Sequence, residues 1–181
     1  MGWRYSLIKT LIAVLAALAL IAFAFPAQQV VERSLVIEHS PDRIWELLED
    51  PPAWNRWSPW YERDPDMRVT YTGAPKGMGA RWHWESNTEG SGRVSVISAS
   101  VARQLDYIVQ FEWFSMALGQ ILGQFILEPV NSGTNLTWRL QLDAGMNPVL
   151  RWLGLFLNTV AGDDLDKGLR NIAAVLNQQT K

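Results

Sequence analysis

The 181-residue chain carries 16 basic and 18 acidic residues, is 48% hydrophobic and contains no cysteine. The missing cysteines exclude disulfides, thiolate nucleophiles and cysteine-based zinc sites. The Lys and Arg residues are scattered singly among acids, so no basic face for a nucleic acid is expected.

At the N-terminus, Arg4 and Lys9 precede an uninterrupted apolar run from Leu11 to Phe25. Counted from Leu7 to Ala27, with Lys9 reaching back to the headgroups, a helix there covers about 31 Å, roughly one hydrocarbon core. Two readings stand: a single transmembrane anchor, or a secretory signal cleaved after the small-x-small sequence Ala22-Phe23-Ala24. Either way, the positive charges before the run, with Glu32 as the first charge of either sign after it, place the N-terminus in the cytoplasm and the body outside. The chain therefore divides into a membrane segment over 1–27 and one domain over 28–181, the latter large enough for a substantial core. Without Arg4 and Lys9, the body has 14 basic against 18 acidic residues, a net charge of −4.

Val30 to Glu38 alternates apolar and polar residues and predicts a strand. Ser40-Pro41-Asp42 then supplies a helix start, with Ile44, Trp45, Leu47 and Leu48 as its buried stripe and Pro51-Pro52 as its stop. Ala53 to Trp60 is read as one short turn followed by an aromatic loop. From Met67 onward strands recur at Met67–Thr72, Gly79–Ser86, Arg93–Ser100, Arg103–Phe114, Ala117–Pro129 and Thr134–Asp143, separated by turn residues, as expected of an antiparallel sheet. Gly90-Ser91-Gly92 is read as a turn. Pro148 to Gln179 is helical by composition, with Leu165, Leu169, Ile172 and Leu176 on one stripe and Gly162 dividing it; the half before that glycine is apolar almost all round and predicts a lid. This order predicts an α+β domain, a curved antiparallel sheet closing around a C-terminal helix with a pocket between them.

Ten tryptophans, six of them between Trp45 and Trp84, mark either a bulky core or the wall of an apolar pocket. Trp45 and Trp138 belong to stripes of proper period and suit plain core; Trp57, Trp60, Trp82 and Trp84 suit a pocket mouth; Trp54 and Trp152 suit a bilayer interface. The candidate ligand-binding set is Trp57, Trp60, Trp82, Trp84, Tyr107, Phe111, Trp138 and Trp152. Candidate acids and bases are His39, His83, Asp64, Asp66, Glu85 and Asp106, with Tyr61, Tyr71 and Tyr107 as phenols, but they form no recognisable constellation and the catalytic residues stay unknown. Arg81 and Arg139 pair with Glu85 and Asp143 or anchor a ligand headgroup. No metal and no cofactor is expected from two histidines 44 positions apart.

The runs 40–48 (Ser-Pro-Asp-Arg-Ile-Trp-Glu-Leu-Leu), 54–60 (Trp-Asn-Arg-Trp-Ser-Pro-Trp), Tyr71-Thr72-Gly73 and 77–82 (Gly-Met-Gly-Ala-Arg-Trp), with Gly133-Thr134, Trp138 and Asp164 to Leu169, resemble the polyketide cyclase/dehydrase-type branch of the START/Bet v 1-like (SRPBCC) superfamily. The resemblance implies a helix-grip fold, a seven-stranded antiparallel sheet wrapped around a long C-terminal helix with a deep hydrophobic cavity. It also implies hydrophobic ligands and leaves activity open. The expectation is a membrane-anchored binding protein for a hydrophobic small molecule or lipid. The alternatives are a polyketide cyclase or aromatase-like enzyme and an interaction module in which Pro148 to Leu157 docks a partner or the membrane.

Overall fold

The computed structural model describes residues 2–113 and 116–179, with side chains over 3–112 and 120–179. The elements run α1 (Gly2–Ala22), β1 (Gln28–Ile37), α2 (Pro41–Leu48), a 3-10 turn (Pro51–Arg56), α3 (Pro59–Arg63), β2 (Arg68–Gly73), β3 (Ala80–Glu85), β4 (Ser91–Ser100), β5 (Gln104–Trp113), β6 (Met116–Val130), β7 (Gly133–Asp143), α4 (Pro148–Gly154) and α5 (Leu157–Gln179). The seven strands form one antiparallel sheet in the order β1-β7-β6-β5-β4-β3-β2. β2 to β7 thus follow one another as a meander, and β1 returns to the far edge beside β7. This is the α+β arrangement that the alternation of residues predicts and the helix-grip fold that the resemblance implies; the expected end of the fifth strand at Phe114 lies outside the described residues.

Helix α1 begins and ends earlier than the apolar run suggests. Pro26 lacks a backbone N–H and disfavours helical geometry at Phe25, so the chain leaves the helix through a turn in which Phe23, Ala24 and Phe25 donate to Leu20, Ile21 and Ala22. Trp3–Ala22 has a mean hydropathy of 2.2 and is almost wholly exposed, a length and composition that suit a membrane span or a signal sequence.

Along α2 the buried residues Ile44, Trp45, Leu47 and Leu48 are those of the predicted stripe, and Ser40 is the N-cap, although its side chain makes no capping bond. The last carbonyls of α2 have no helical partner, and two indoles supply donors: Trp54 Nε1 donates to Leu48 O at 2.9 Å and Trp57 Nε1 to Leu47 O at 3.1 Å. These bonds turn both rings inward. Trp54 packs at 4.8 Å from Trp57 and Trp82 and at 5.2 Å from Tyr107, and Trp57 meets Trp138 at 5.6 Å.

Two strand glycines make this packing possible. Gly92, read from sequence as part of a turn, lies inside β4 opposite Trp84, whose ring occupies the space a Cβ would need. Gly123 in β6 does the same for Tyr107. Gly162 likewise does not divide the C-terminal helix: α5 runs through it, because a side chain there would meet Arg33. The division falls instead between Gly154 and Leu157. Leu165, Leu169, Ile172 and Leu176 of α5 are all buried, on the stripe the spacing predicts.

At the base of the aromatic cluster, Trp138 Nε1 donates to Tyr107 Oη at 2.7 Å, both residues being fully buried. Tyr107→Phe strands the indole N–H without an acceptor and is expected to lower the unfolding free energy by about 1–3 kcal/mol. A lower urea midpoint with an unchanged slope in detergent-solubilised protein would report this, and an unchanged midpoint would show that the bond contributes nothing net.

Candidate functional site

The meander places Trp82 and Trp84 of β3, Val94 of β4, Val109 and Phe111 of β5, Ile121 of β6 and Leu140 of β7 on one face. Opposite them stand Trp54, Ser58, Trp60, Tyr61 and Met67, and between the two walls lies a cavity of about 110 Å³. No residue of α5 lines it. The expected position between sheet and C-terminal helix is therefore corrected: Trp57, Trp60 and Trp138 fill the space in front of α5, and the cavity is displaced toward the β3–β4 end of the sheet.

Four of the eight residues expected from sequence, Trp60, Trp82, Trp84 and Phe111, meet in this wall. Trp57, Tyr107 and Trp138 lie on the same side of the sheet, packed into the core behind it. Trp152 lies elsewhere, on α4, where its ring meets Phe25 at 4.7 Å and its indole donates to Leu18 O of α1 at 3.2 Å. The α4 segment, expected as a lid, contributes no residue to the lining. Trp54, expected at a bilayer interface, is 3% exposed and lines the cavity. Ser58, Met67, Glu89, Val94, Val109, Ile121 and Leu140 were not singled out by sequence; the aliphatic ones carry only the alternation shared by every strand.

Two polar groups of the wall are poorly satisfied among the described residues: Ser58 Oγ is buried and makes no hydrogen bond, and Tyr61 Oη is buried with no bond of good geometry, its hydroxyl facing the Tyr71 phenol. Ser58 is the N-cap residue of α3, a position whose hydroxyl ordinarily caps the helix, yet this one does not, and the residue is 2% exposed. Burial pushes the Tyr61 phenol above its ordinary pKa, with the Tyr71 phenol adding to the shift. An orphaned buried hydroxyl costs free energy until something hydrogen-bonds it.

Glu89 and Phe111 also line a broader open depression of about 630 Å³, with Asp64, Asp66, Arg68, Glu85 and Glu112 around it, so the cavity adjoins an acidic rim. Arg63 holds Glu89 of this wall. Its guanidinium donates to Glu89 at 2.7 and 2.9 Å and to Asp164 at 2.6 and 3.1 Å, and these bonds, Glu89 first, raise its pKa. They tie α3 to the β3–β4 hairpin and to α5 in a forked geometry.

Of the candidate acids and bases, Asp64, Asp66 and Glu85 meet around the open depression and the Tyr61 and Tyr71 phenols are neighbours, while the others stand apart. His39 bonds Asn177 at 3.0 Å, His83 faces Glu112 at 3.5 Å on the outer side of β3, Asp64 accepts from Ser86, and Asp106 accepts from Gln104 and Gln124. Arg139 pairs with Glu32 across β1 and β7 rather than with Asp143, and Arg81 is exposed. Among the described residues no group of three His, Asp or Glu side chains is placed to hold a metal ion.

The model of the family described as polyketide cyclase / dehydrase and lipid transport matches residues 28–177. The chain belongs to this family. Solved structures with the family's fold include the di-domain ARO/CYC StfQ from the steffimycin biosynthetic pathway, at 14% identity and TM-score 0.62 over 84% of this chain and 52% of that one. Protein MLL2253 from Mesorhizobium loti matches at 18% identity and TM-score 0.58 over 84% and 99% of the two chains. Protein CV1439 from Chromobacterium violaceum matches at 15% and 0.55 over 82% and 96%. At these identities the likeness is one of fold. No curated protein matches the sequence.

Burial raises the pKa of Tyr61, Tyr71 and Tyr107 alike. The folded family member holds these phenolic protons more tightly than the unfolded chain does, so their effect on stability is constant below about pH 10 and turns unfavourable as pH rises above it. Absorbance titration at the phenolate band is expected to show Tyr61, Tyr71 and Tyr107 ionising above the ordinary phenol range, their signal appearing only as alkaline unfolding releases them. Ionisation of these three near the ordinary value would contradict the burial.

Proposed function

We propose that the protein is a membrane-anchored binding protein for a neutral, hydrophobic small molecule or lipid whose end enters the cavity between β3–β7 and the segment from Trp54 to Met67. The observation that carries this reading is Ser58 Oγ, a buried hydroxyl without a partner in an otherwise apolar aromatic wall, with the buried Tyr61 phenol, which meets only the Tyr71 phenol, beside it. Apolar burial supplies the attraction and a single hydrogen-bonding head on the ligand satisfies the hydroxyls. The ligand's charge follows from the surroundings. Arg63 pairs with Glu89 and Arg93 with Glu112, and Arg68 also lines the adjoining depression, but with Asp64, Asp66 and Glu85 the carboxylates still outnumber the cations, so a neutral head is favoured over a carboxylate or phosphate on the way in. The family and the named aromatase/cyclase neighbour support a hydrophobic ligand.

The anchor is α1, with the N-terminus in the cytoplasm and the domain on the far side of the membrane. This orientation is supported by Arg4 and Lys9, the only charges before Glu32.

A compact probe set tests the ligand reading. p-Cresol is expected to bind the purified chain about 2- to 10-fold more tightly than toluene, the gain of one hydrogen bond to an otherwise unsatisfied group, and benzoate of similar size is expected not to bind. Ser58→Ala with Tyr61→Phe should erase the difference between cresol and toluene while leaving toluene binding in place. Calorimetry and tryptophan fluorescence both read this. Equal affinity of wild type for cresol and toluene would remove the polar-anchor argument, and failure of both to bind would remove the cavity.

A further inference from the structure

The stretch 144–162 carries one charge, Arg151, and no acid. It contains α4 and the start of α5, and its apolar side chains point outward: Met146 is 78% exposed, Val149 63%, Leu153 53%, Phe156 58% and Val160 71%. A soluble surface does not ordinarily gather so many large apolar groups in one place. The segment is also held against α1. Trp152 donates to the carbonyl of Leu18 and stacks edge-on against Phe25, while Arg151 donates to Phe25 O at 2.7 Å and to Gly145 O at 2.9 Å and lies 4.9 Å over the Phe23 ring. The one cation is thus committed to carbonyls and a ring at the end of α1.

From these contacts we infer that the α4–α5 junction is a second membrane contact, an interfacial face that seats in the headgroup region of the lipid bilayer beside α1. The inference rests on the reading of α1 as a bilayer segment, and the depth follows from it. Leu18 is four residues before the end of α1 at Ala22, or about 6 Å along the helix axis. Trp152 therefore sits at about the depth, ~5–10 Å, at which interfacial apolar faces lie. The exposed apolar surface of α4 continues that of α1, and a bilayer deep enough to cover the last turns of α1 reaches the neighbouring α4 residues too. Lipid is the occupant that this continuity selects.

The absence of native cysteine makes the test direct. Single variants Leu153→Cys and Phe156→Cys of the full chain, with Leu15→Cys in α1 and the exposed Ser98→Cys in β4 as references, are labelled with an environment-sensitive fluorophore and reconstituted into phosphatidylcholine vesicles. At an interfacial depth of ~5–10 Å, positions 153 and 156 are expected to be quenched about twofold or more by doxyl groups near the headgroups and shielded from aqueous iodide. Position 98 should behave oppositely. If 153 and 156 behave like 98 while 15 is quenched by lipid, the interfacial face is refuted and the anchor stands. If 15 also behaves like 98, the anchor reading falls and this inference with it. Shielding from iodide without lipid quenching assigns the face to a protein partner or a second copy, which also overturns it.

Discussion

Two indole hydrogen bonds to the end of α2 organise this domain. A helix terminus leaves carbonyls without partners, and here Trp54 and Trp57 donate to Leu48 and Leu47, so the rings are drawn under the sheet instead of lying on the surface. Once they are inside, Trp54 touches Trp82, Tyr107 and Phe125, and Trp57 touches Phe125 and Trp138. Phe125 and Trp138 then pack on each other at 4.8 Å across β6 and β7. α5 also depends on this plug: Asn171 donates to Trp57 O at 3.0 Å, and Gly168 leaves room for the Trp138 ring. The helix thus touches the aromatic segment as well as the sheet, against whose β1 it chiefly lies.

The same plug explains why the cavity is small and lies to one side. A curved sheet facing a long helix encloses a space that side chains or a ligand must fill, since interiors tolerate few voids. Trp54, Trp57 and Trp60 fill most of it, and what remains is bounded by β3–β7 on one side and by Trp60, Tyr61 and Met67 on the other. Ser58 there without a partner, with the Tyr61 phenol beside it, leaves a polar group unsatisfied inside an apolar wall. On the proposed reading, a neutral head meets it better than an anionic one, because carboxylates predominate around the adjoining depression.

The strands, the two-faced helices and the order of elements were legible because each rests on local periodicity: Leu136, Trp138, Leu140 and Leu142 alternate in β7 and are all buried. Depth was not legible. Tyr107 and Trp138 sit on the side of the sheet that alternation assigns them and Trp57 comes from a loop to which alternation assigns no side, but whether any of them meets ligand or core depends on which distant segment covers it, and Trp54 and Phe125 cover these. Gly92, Gly123 and Gly162 were hard to read for a related reason. A glycine demanded by a neighbour's ring or guanidinium looks locally like a turn or a helix breaker, and only the cross-strand or cross-helix partner shows otherwise. The apolar half before Gly162 read as a lid because composition shows that a surface needs covering and not what covers it. The structure sets it against α1 and away from the cavity.

Magnitudes bear on what kind of ligand the cavity serves. A volume of about 110 Å³ is below the several hundred Å³ of ordinary ligand pockets and takes a ring-sized group. Burying roughly 250 Å² of such a group yields about 6 kcal/mol, and the loss of translational and rotational freedom consumes at least about 4 of it. The remainder corresponds to weak binding, at millimolar levels or worse. Tight binding therefore requires that the ligand extend out of the cavity along the acidic depression, or that the wall open. The wall's one short, separable piece is α3, five residues that carry Tyr61 and Trp60 and are tied down by Arg63 to Glu89 and Asp164. Arg63 forks onto two largely covered carboxylates and Lys167 pairs with Glu62, also on α3, so releasing α3 has a cost that the apolar area a larger ligand buries has to exceed. The affinity of this site is thus set less by the volume seen in the closed wall than by how readily α3 parts from the β3–β4 hairpin.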